Sequence, residues 1–218
     1  MKTNQETMKV IAEEVNCEDM CPTMHNPRYI NEFQVTIHND LIMKPFEWKK
    51  PKRIFVNSMS DLFHENVPDN IIYSIFKTMN DCPQHQFQVL TKRPERLLSI
   101  NENVVWTDNI WMGVSVENSK YLNRVDTLRT CGAKVKYISA ELLIGSLDGV
   151  NLMGIDWIIV GGESGPGSRP MKEEWVLGLL ERSRDNNVPF FFKQWGGVQK
   201  NKNGCLIKGE IIQEYPIL

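Results

Sequence analysis

Six apolar runs, each passing straight into a polar cluster, recur along the chain as Arg53–Asp61, Phe87–Arg93, Ile110–Asn118, Val135–Glu141, Asp156–Gly165 and Phe190–Trp195. A short run rich in β-branched and aromatic residues is how a strand buried on both faces reads, and such strands belong to parallel sheets covered by helices. The intervals supply those helices. Pro68 to about Asn80 places Ile71, Ile72, Ile75, Phe76 and Met79 on one face, with the proline near the first turn. Pro94–Ile100 predicts a short helix, and Asn118–Thr130 a further one with Leu122, Val125 and Leu128 inward and Gly132 as its stop. Glu173–Asp185 predicts another, with Trp175, Val176, Leu179 and Leu180 inward. Ahead of the first run, residues 3–16 carry Met8, Ile11, Ala12 and Val15 at helical spacing and predict an amphipathic helix. Gln34–Ile37 predicts a short strand, Lys44–Lys52 a connector, and the tail from Gln199 a hairpin around Asn203-Gly204.

Alternating strand and helix predicts an α/β fold, a parallel βα barrel or partial barrel with about six core strands. One domain over 1–218 is expected, with a divergent region 1–50 and a C-terminal tail 198–218. In such folds ligands collect at the carboxyl ends of the strands, where loops from many strands meet.

Composition narrows the function classes. The chain is 41% hydrophobic and 24% charged, which excludes general disorder, and its formal net charge of −2 excludes a global field toward DNA or lipid. No apolar stretch reaches the roughly 18–20 residues of a membrane span, and the first residues lack the apolar core of a signal peptide, so a cytoplasmic protein is expected. Five cysteines at 17, 21, 82, 131 and 205 do not make a disulfide framework.

The candidate chemistry stands at the strand ends. Asn57, Ser58, Ser60 and Asp61 close the first run, although Asp61 reads equally as a helix cap. Thr91, Lys92 and Arg93 close the second, suited to a carboxylate or phosphate or simply a solvated basic turn. Ser115, Glu117 and Asn118, then Ser139 and Glu141, then Gly161, Gly162, Glu163 and Ser164 follow, and Lys193, Gln194 and Trp195 end the series. Adjacent glycines at a strand end let backbone approach a ligand closely, or merely make a tight turn. Glu117, Glu141, Glu163 and Lys193 are the candidate catalytic groups, able to do acid–base work, hold a cation or pair with basic neighbours. Trp195 can stack a base or serve as packing.

Cys17 and Cys21 have the spacing of the first two thiolates of a three-cysteine iron–sulfur signature, with Met24 in the third place. A thioether substitutes poorly for a thiolate at iron, so no cluster is expected. The histidines show no metal-ligand spacing, and no metal site is assigned. No nucleophile elbow, Walker-type loop or dinucleotide fingerprint is present. Lys49, Lys50, Lys52 and Arg53, with Lys92 and Arg93, are candidate nucleic-acid contacts; a run of one sign is also how a solvated turn reads.

Taken together, Asn26–Tyr29, Arg53–His64, Gln88–Leu97, Gly113–Asn118, Gly161–Gly165 and Phe190–Gly197 resemble a phage-borne three-cysteine family related to radical S-adenosylmethionine barrels, over roughly residues 26–197. The resemblance implies a partial or complete βα barrel with a site for S-adenosylmethionine or a related nucleoside at its strand ends, working in a bacterial host cell. The chain departs from that family at three places. The family begins with an extra strand whose loop carries the cysteine triad; only 25 residues precede Asn26, and that strand is expected to be deleted or replaced. Leu142 stands where the family commonly has proline, which loosens a turn. Gly161-Gly162-Glu163 lies on a late strand, so the amino-group-holding role of a similarly spelled early motif is not carried over. The expected function is binding of a nucleoside-like small molecule without radical chemistry. The alternatives are a non-catalytic phage protein that engages a host protein or sequesters a host signal, and an enzyme acting on nucleic acid.

Overall fold

The apolar runs become strands at nearly the residues that carry them. The structure, a computed structural model, describes residues 5–8, 11–12, 35–57, 60–198 and 203–217. In chain order, β1 (Gln5–Met8), β2 (Ile11–Ala12) and β3 (Thr36–Ile37) lead to α1 (Asn39–Ile42) and a 3-10 turn at Lys44–Glu47. Then come β4 (Arg53–Val56), α2 (Asp69–Asp81), β5 (Gln86–Thr91), α3 (Pro94–Ile100) and β6 (Ile110–Ser115). A further 3-10 turn, Ser119–Tyr121, precedes α4 (Asn123–Arg129), β7 (Val135–Glu141), β8 (Trp157–Gly161), α5 (Glu173–Asp185) and β9 (Phe190–Gln194). The short strands β10 (Leu206–Ile207) and β11 (Glu210–Ile211) end the series. The fold is mixed α/β, on a sheet of order β1-β4-β5-β6-β7-β8-β9. The pairs β1–β4, β4–β5, β7–β8 and β8–β9 are all parallel.

Two compact units make up the chain, one running to Met112 with Gly132–Lys134, the other comprising Gly113–Cys131 and the residues from Val135. In the first, Ile54, Val56, Phe87 and Val89 of the strands are buried, as are Ile72, Ile75, Phe76 and Met79 of α2 and Leu97 and Ile100 of α3. Burying side chains of this size stabilises by about 1.5–3 kcal/mol each, which is what sets the helix faces. Extended Pro68 precedes α2, where a missing N–H costs no intrahelical bond.

In the second unit, Gly113 must lack a side chain because a Cβ there would run into the Tyr137 ring. Trp157 packs against Tyr137 at 5.8 Å, Phe191 at 6.0 Å and Tyr215 at 5.2 Å between ring centroids, joining β7, β8 and β9 to the tail. That tail runs antiparallel beside β9, with Phe192 N–H donating to Ile212 O at 2.8 Å and Glu214 N–H to Phe190 O at 3.0 Å. It thereby occupies backbone groups that an edge strand would leave open.

Two expectations change. Residues 5–8 and 11–12 are strands rather than part of a helix, because β1 finds a parallel partner in β4 and β2 an antiparallel one in β3, and such pairing overrides a short stretch of helical spacing. A strand, β1, paired parallel with β4, thus lies ahead of Cys17 in the chain. The tail hairpin turns at Lys208-Gly209, both with positive φ (48° and 88°), as the favoured two-residue turn requires, and not at Asn203-Gly204. Cys17, Cys21, Met24, His25, the Asn26–Tyr29 motif, Ser58 and Met59 lie outside the described residues. No helix among the described residues is long and apolar enough to cross a membrane.

Glu214 fastens the tail: its carboxylate accepts from Arg184 Nη1 at 2.7 Å and Nη2 at 2.6 Å and from Phe190 N–H at 3.0 Å. The Arg184 hydrogen bonds come first among the causes that hold its carboxyl below the ordinary glutamate range. A lowered folded value means stability that is complete above the ordinary range and is lost as pH falls through the lowered one. Glu214→Gln is expected to reduce unfolding free energy by roughly 1 kcal/mol at neutral pH, the ion pair being partly exposed. Urea denaturation at neutral and acid pH checks this, and the variant's stability should fall less on acidification than the parent's.

Candidate functional site

In the second unit, β6 to β9 each bring charge or polarity to their carboxyl ends. Glu117, just past β6, is 8% exposed. Its carboxylate accepts from Arg124 Nη1 at 3.0 Å, and the same nitrogen donates to Ser115 O at 2.8 Å. The guanidinium lies 4.1 Å from the centre of the Tyr121 ring. Asn118 accepts from Lys120 N–H through its side chain and so caps the 3-10 turn that leads into α4. Glu117 is thus held by the approach to its own helix.

Glu141 ends β7 and accepts from Lys193 Nζ, near the end of β9, at 2.9 Å. Between them stands Gly161: a Cβ there would lie 3.4 Å from Glu141 Cγ and 3.5 Å from Lys193 Cβ. The absent side chain keeps this pair open on the strand between. The Glu141–Leu142 peptide is cis.

The Gly161-Gly162-Glu163 turn and the Trp195-Gly196-Gly197 turn are pressed backbone to backbone. A Cβ on Gly162 would strike Trp195 O, and one on Gly196 (φ +76°) would strike Glu163 O. Hydrogen bonds run from Gly162 N–H to Gln194 O (2.9 Å), Gly197 N–H to Glu163 O (2.6 Å) and Gly165 N–H to Gly197 O (3.2 Å). Gln194 donates its amide to Gly162 O at 3.3 Å. Trp195 donates its indole N–H to Leu206 O at 2.8 Å and packs its ring on Phe192 at 4.8 Å. Ser115 and Ser139 are buried, and Ser164 is exposed.

Glu163 is clamped by Arg169, which donates from Nε at 2.7 Å, Nη2 at 3.2 Å and its backbone N–H at 3.0 Å. The side-chain hydrogen bonds, then the backbone one, lower the Glu163 carboxyl from its ordinary range, and Arg169 also feels the charge of Glu117. A carboxylate so held stays ionised and is a weak base. It suits charge recognition better than proton transfer. Arg124 and Arg169 are partners of these carboxylates that the sequence reading missed; the only signal was a cation six or seven residues downstream of Glu163 and Glu117.

The first unit has its own cluster. Asp61, 7% exposed, accepts from Phe63 N–H (2.9 Å), Thr91 Oγ1 (2.8 and 2.9 Å to its two oxygens), Lys92 N–H (2.9 Å) and Arg93 Nη1 (3.1 Å). Thr91 Oγ1 also accepts from Arg93 N–H at 2.9 Å. Asp61 is therefore both a cap for its own turn and the anchor of the Thr91–Arg93 turn, and Lys92 remains exposed. Asn57 is buried with φ +57°, a conformation asparagine tolerates better than most residues. Ser60, half-buried, donates its N–H to Asn57 O at 3.3 Å. Among the described residues no group of three or more His, Cys, Asp or Glu side chains could hold a metal ion.

Removing a buried carboxylate with this many donors leaves them unpaired. Asp61→Ala is expected to cost about 2–4 kcal/mol in chemical denaturation. Thr91→Val, which deletes one hydroxyl, should cost about 1 kcal/mol. Equal losses in the two variants would contradict the hub role.

No curated protein and no solved structure matches the chain. A family model described as protein of unknown function (DUF5131) matches residues 6–216, nearly the whole length. The chain belongs to the DUF5131 family.

Proposed function

We propose that the chain is a partial βα barrel of the radical S-adenosylmethionine type that binds a nucleoside-like small molecule at the strand ends of its second unit, without radical chemistry. Phage origin and work inside a bacterial host belong to the same reading. The observation that carries it is the Glu141–Lys193 pair, 2.9 Å long, flanking a residue without a side chain and with about half of the lysine side chain open to solvent. An exposed pair of this kind adds little to folding stability. As an exchange site it has more to offer. A ligand with an amino-acid group brings an ammonium for Glu141 and a carboxylate for Lys193, replacing one ion pair by two charge-assisted hydrogen bonds. S-adenosylmethionine and its demethylated form S-adenosylhomocysteine have that group.

Glu163 and Arg169 supply a second fixed pair of charges in the same unit, and Gly161 and Gly162 let a ligand come close to backbone. A cluster does not fit the donor set: Cys17 and Cys21 are joined by Met24 where a third thiolate is required. Binding without reductive cleavage is what remains.

Calorimetry separates the outcomes. S-adenosylmethionine and S-adenosylhomocysteine should bind, and Glu141→Gln and Lys193→Met should each weaken binding about tenfold or more, as removal of a charge-assisted hydrogen bond does. Adenosine, lacking the amino-acid group, should be indifferent to both substitutions. Absence of heat with every ligand, or variants that bind as the parent does, would refute the proposal.

A further inference from the structure

The surface ahead of β4 differs in character from the strand ends. From Lys44 to Arg53 the chain carries five basic residues, Lys44, Lys49, Lys50, Lys52 and Arg53, against the one carboxylate of Glu47, in a protein whose net charge is −2. Lys44, Lys49 and Lys50 are exposed, and among the described residues none of them pairs with a carboxylate. Within the same stretch Phe46 is 46% exposed, and Met43 just before it 57%. Lys52 Nζ lies 4.9 Å from the centre of the half-buried Trp48 ring.

This stretch is held in shape by a buried histidine. His85, 1% exposed, accepts from Lys52 N–H through Nδ1 at 3.2 Å, which leaves Nε2 to donate to Pro45 O at 2.9 Å. The Pro45 carbonyl also accepts from Trp48 N–H at 3.3 Å. The Trp48 ring meets His85 edge to face at 5.9 Å, and His85 meets Phe87 of β5 the same way at 6.2 Å. One side chain thus fastens both ends of the Pro45–Lys52 segment to the sheet. A solvated turn has no need of such a clamp.

Clustered lysines answer a phosphate backbone, and an exposed ring among them answers the face of an unpaired base. We infer that Met43–Arg53, clamped by His85, is a binding surface for single-stranded nucleic acid. A duplex would satisfy the lysines but hides its base faces from Phe46. An anionic membrane is met by an amphipathic helix with a broad apolar face, whereas this segment holds a four-residue 3-10 turn. The inference rests on the first unit alone and stands apart from the small-molecule reading.

Fluorescence anisotropy of the full chain with labelled 12-nucleotide oligo-dT and oligo-U, across a salt series, tests it. A hairpin duplex and phosphatidylserine vesicles serve as competing occupants. Both single strands should bind more tightly than the duplex, and the vesicles should not bind. Lys49→Ala with Lys50→Ala should reduce the slope of log affinity against log salt by roughly 1.4, at about 0.7 for each phosphate no longer neutralised. Phe46→Ala should weaken binding about tenfold or more and leave that slope unchanged, since stacking is not salt-dependent. All the substituted side chains are exposed, so the thermal unfolding midpoint should not move. No binding at low salt, duplex or vesicle binding equal to that of single strands, or a Phe46→Ala variant that binds as the parent does would each overturn the inference.

Discussion

Two backbone turns in the second unit touch so closely that neither tolerates a β-carbon: Gly162 lies against the Trp195 carbonyl and Gly196 against that of Glu163. This close approach is the constraint on which the strand-end arrangement depends. With β8 and β9 parallel and adjacent, their ends emerge at one edge, and the glycines let the two loops cross-bond there instead of splaying apart. Glu163 and Lys193 stand on the two sides of that brace. An alanine at either glycine would force the loops to part, and the charges they carry would move with them.

The three carboxylates of this unit look alike in sequence and differ in what surrounds them. Glu117 is nearly buried and bound to an arginine that also bonds backbone and covers a tyrosine. Glu163 is locked by three hydrogen bonds from one residue, which fixes its charge and lowers its affinity for protons. Glu141 alone of the three faces a lysine that is itself half open. Exchange of partners costs least there, because the half-exposed lysine gives up one partly solvated ion pair.

Most of the sheet was legible in the sequence because each core strand is a continuous apolar run, and β7 begins and ends where its run does. The helix faces were legible for the same reason: Ile72, Ile75, Phe76 and Met79 recur at the spacing that buries one side. The N-terminal segment was not, since Met8, Ile11 and Ala12 fit a helical period while β4 and β3 offer strand partners from further along the chain. The turn at Lys208-Gly209 was hidden behind Asn203-Gly204 because asparagine-glycine is the stronger local signal, although the pairing of Leu206 with Ile211 decides otherwise. The candidate groups were legible as strand ends, and Lys193 as a cation for their carboxylates, but the other partners were not. Arg124 and Arg169 reach their carboxylates across turns whose geometry no spacing rule encodes. Trp195 and Gln194, attractive as ligand contacts, commit their polar groups to Leu206 and Gly162.

The central claim is that the strand ends of the second unit form one ligand-binding surface organised around an exchangeable ion pair. A titration of the isotopically labelled protein with S-adenosylmethionine, followed through backbone amide resonances, addresses it directly. The account requires the largest shifts at Gly161, Gly162 and Lys193, with residues 43–53 unmoved. Shifts confined to other parts of the chain, or none at saturating ligand, would contradict it.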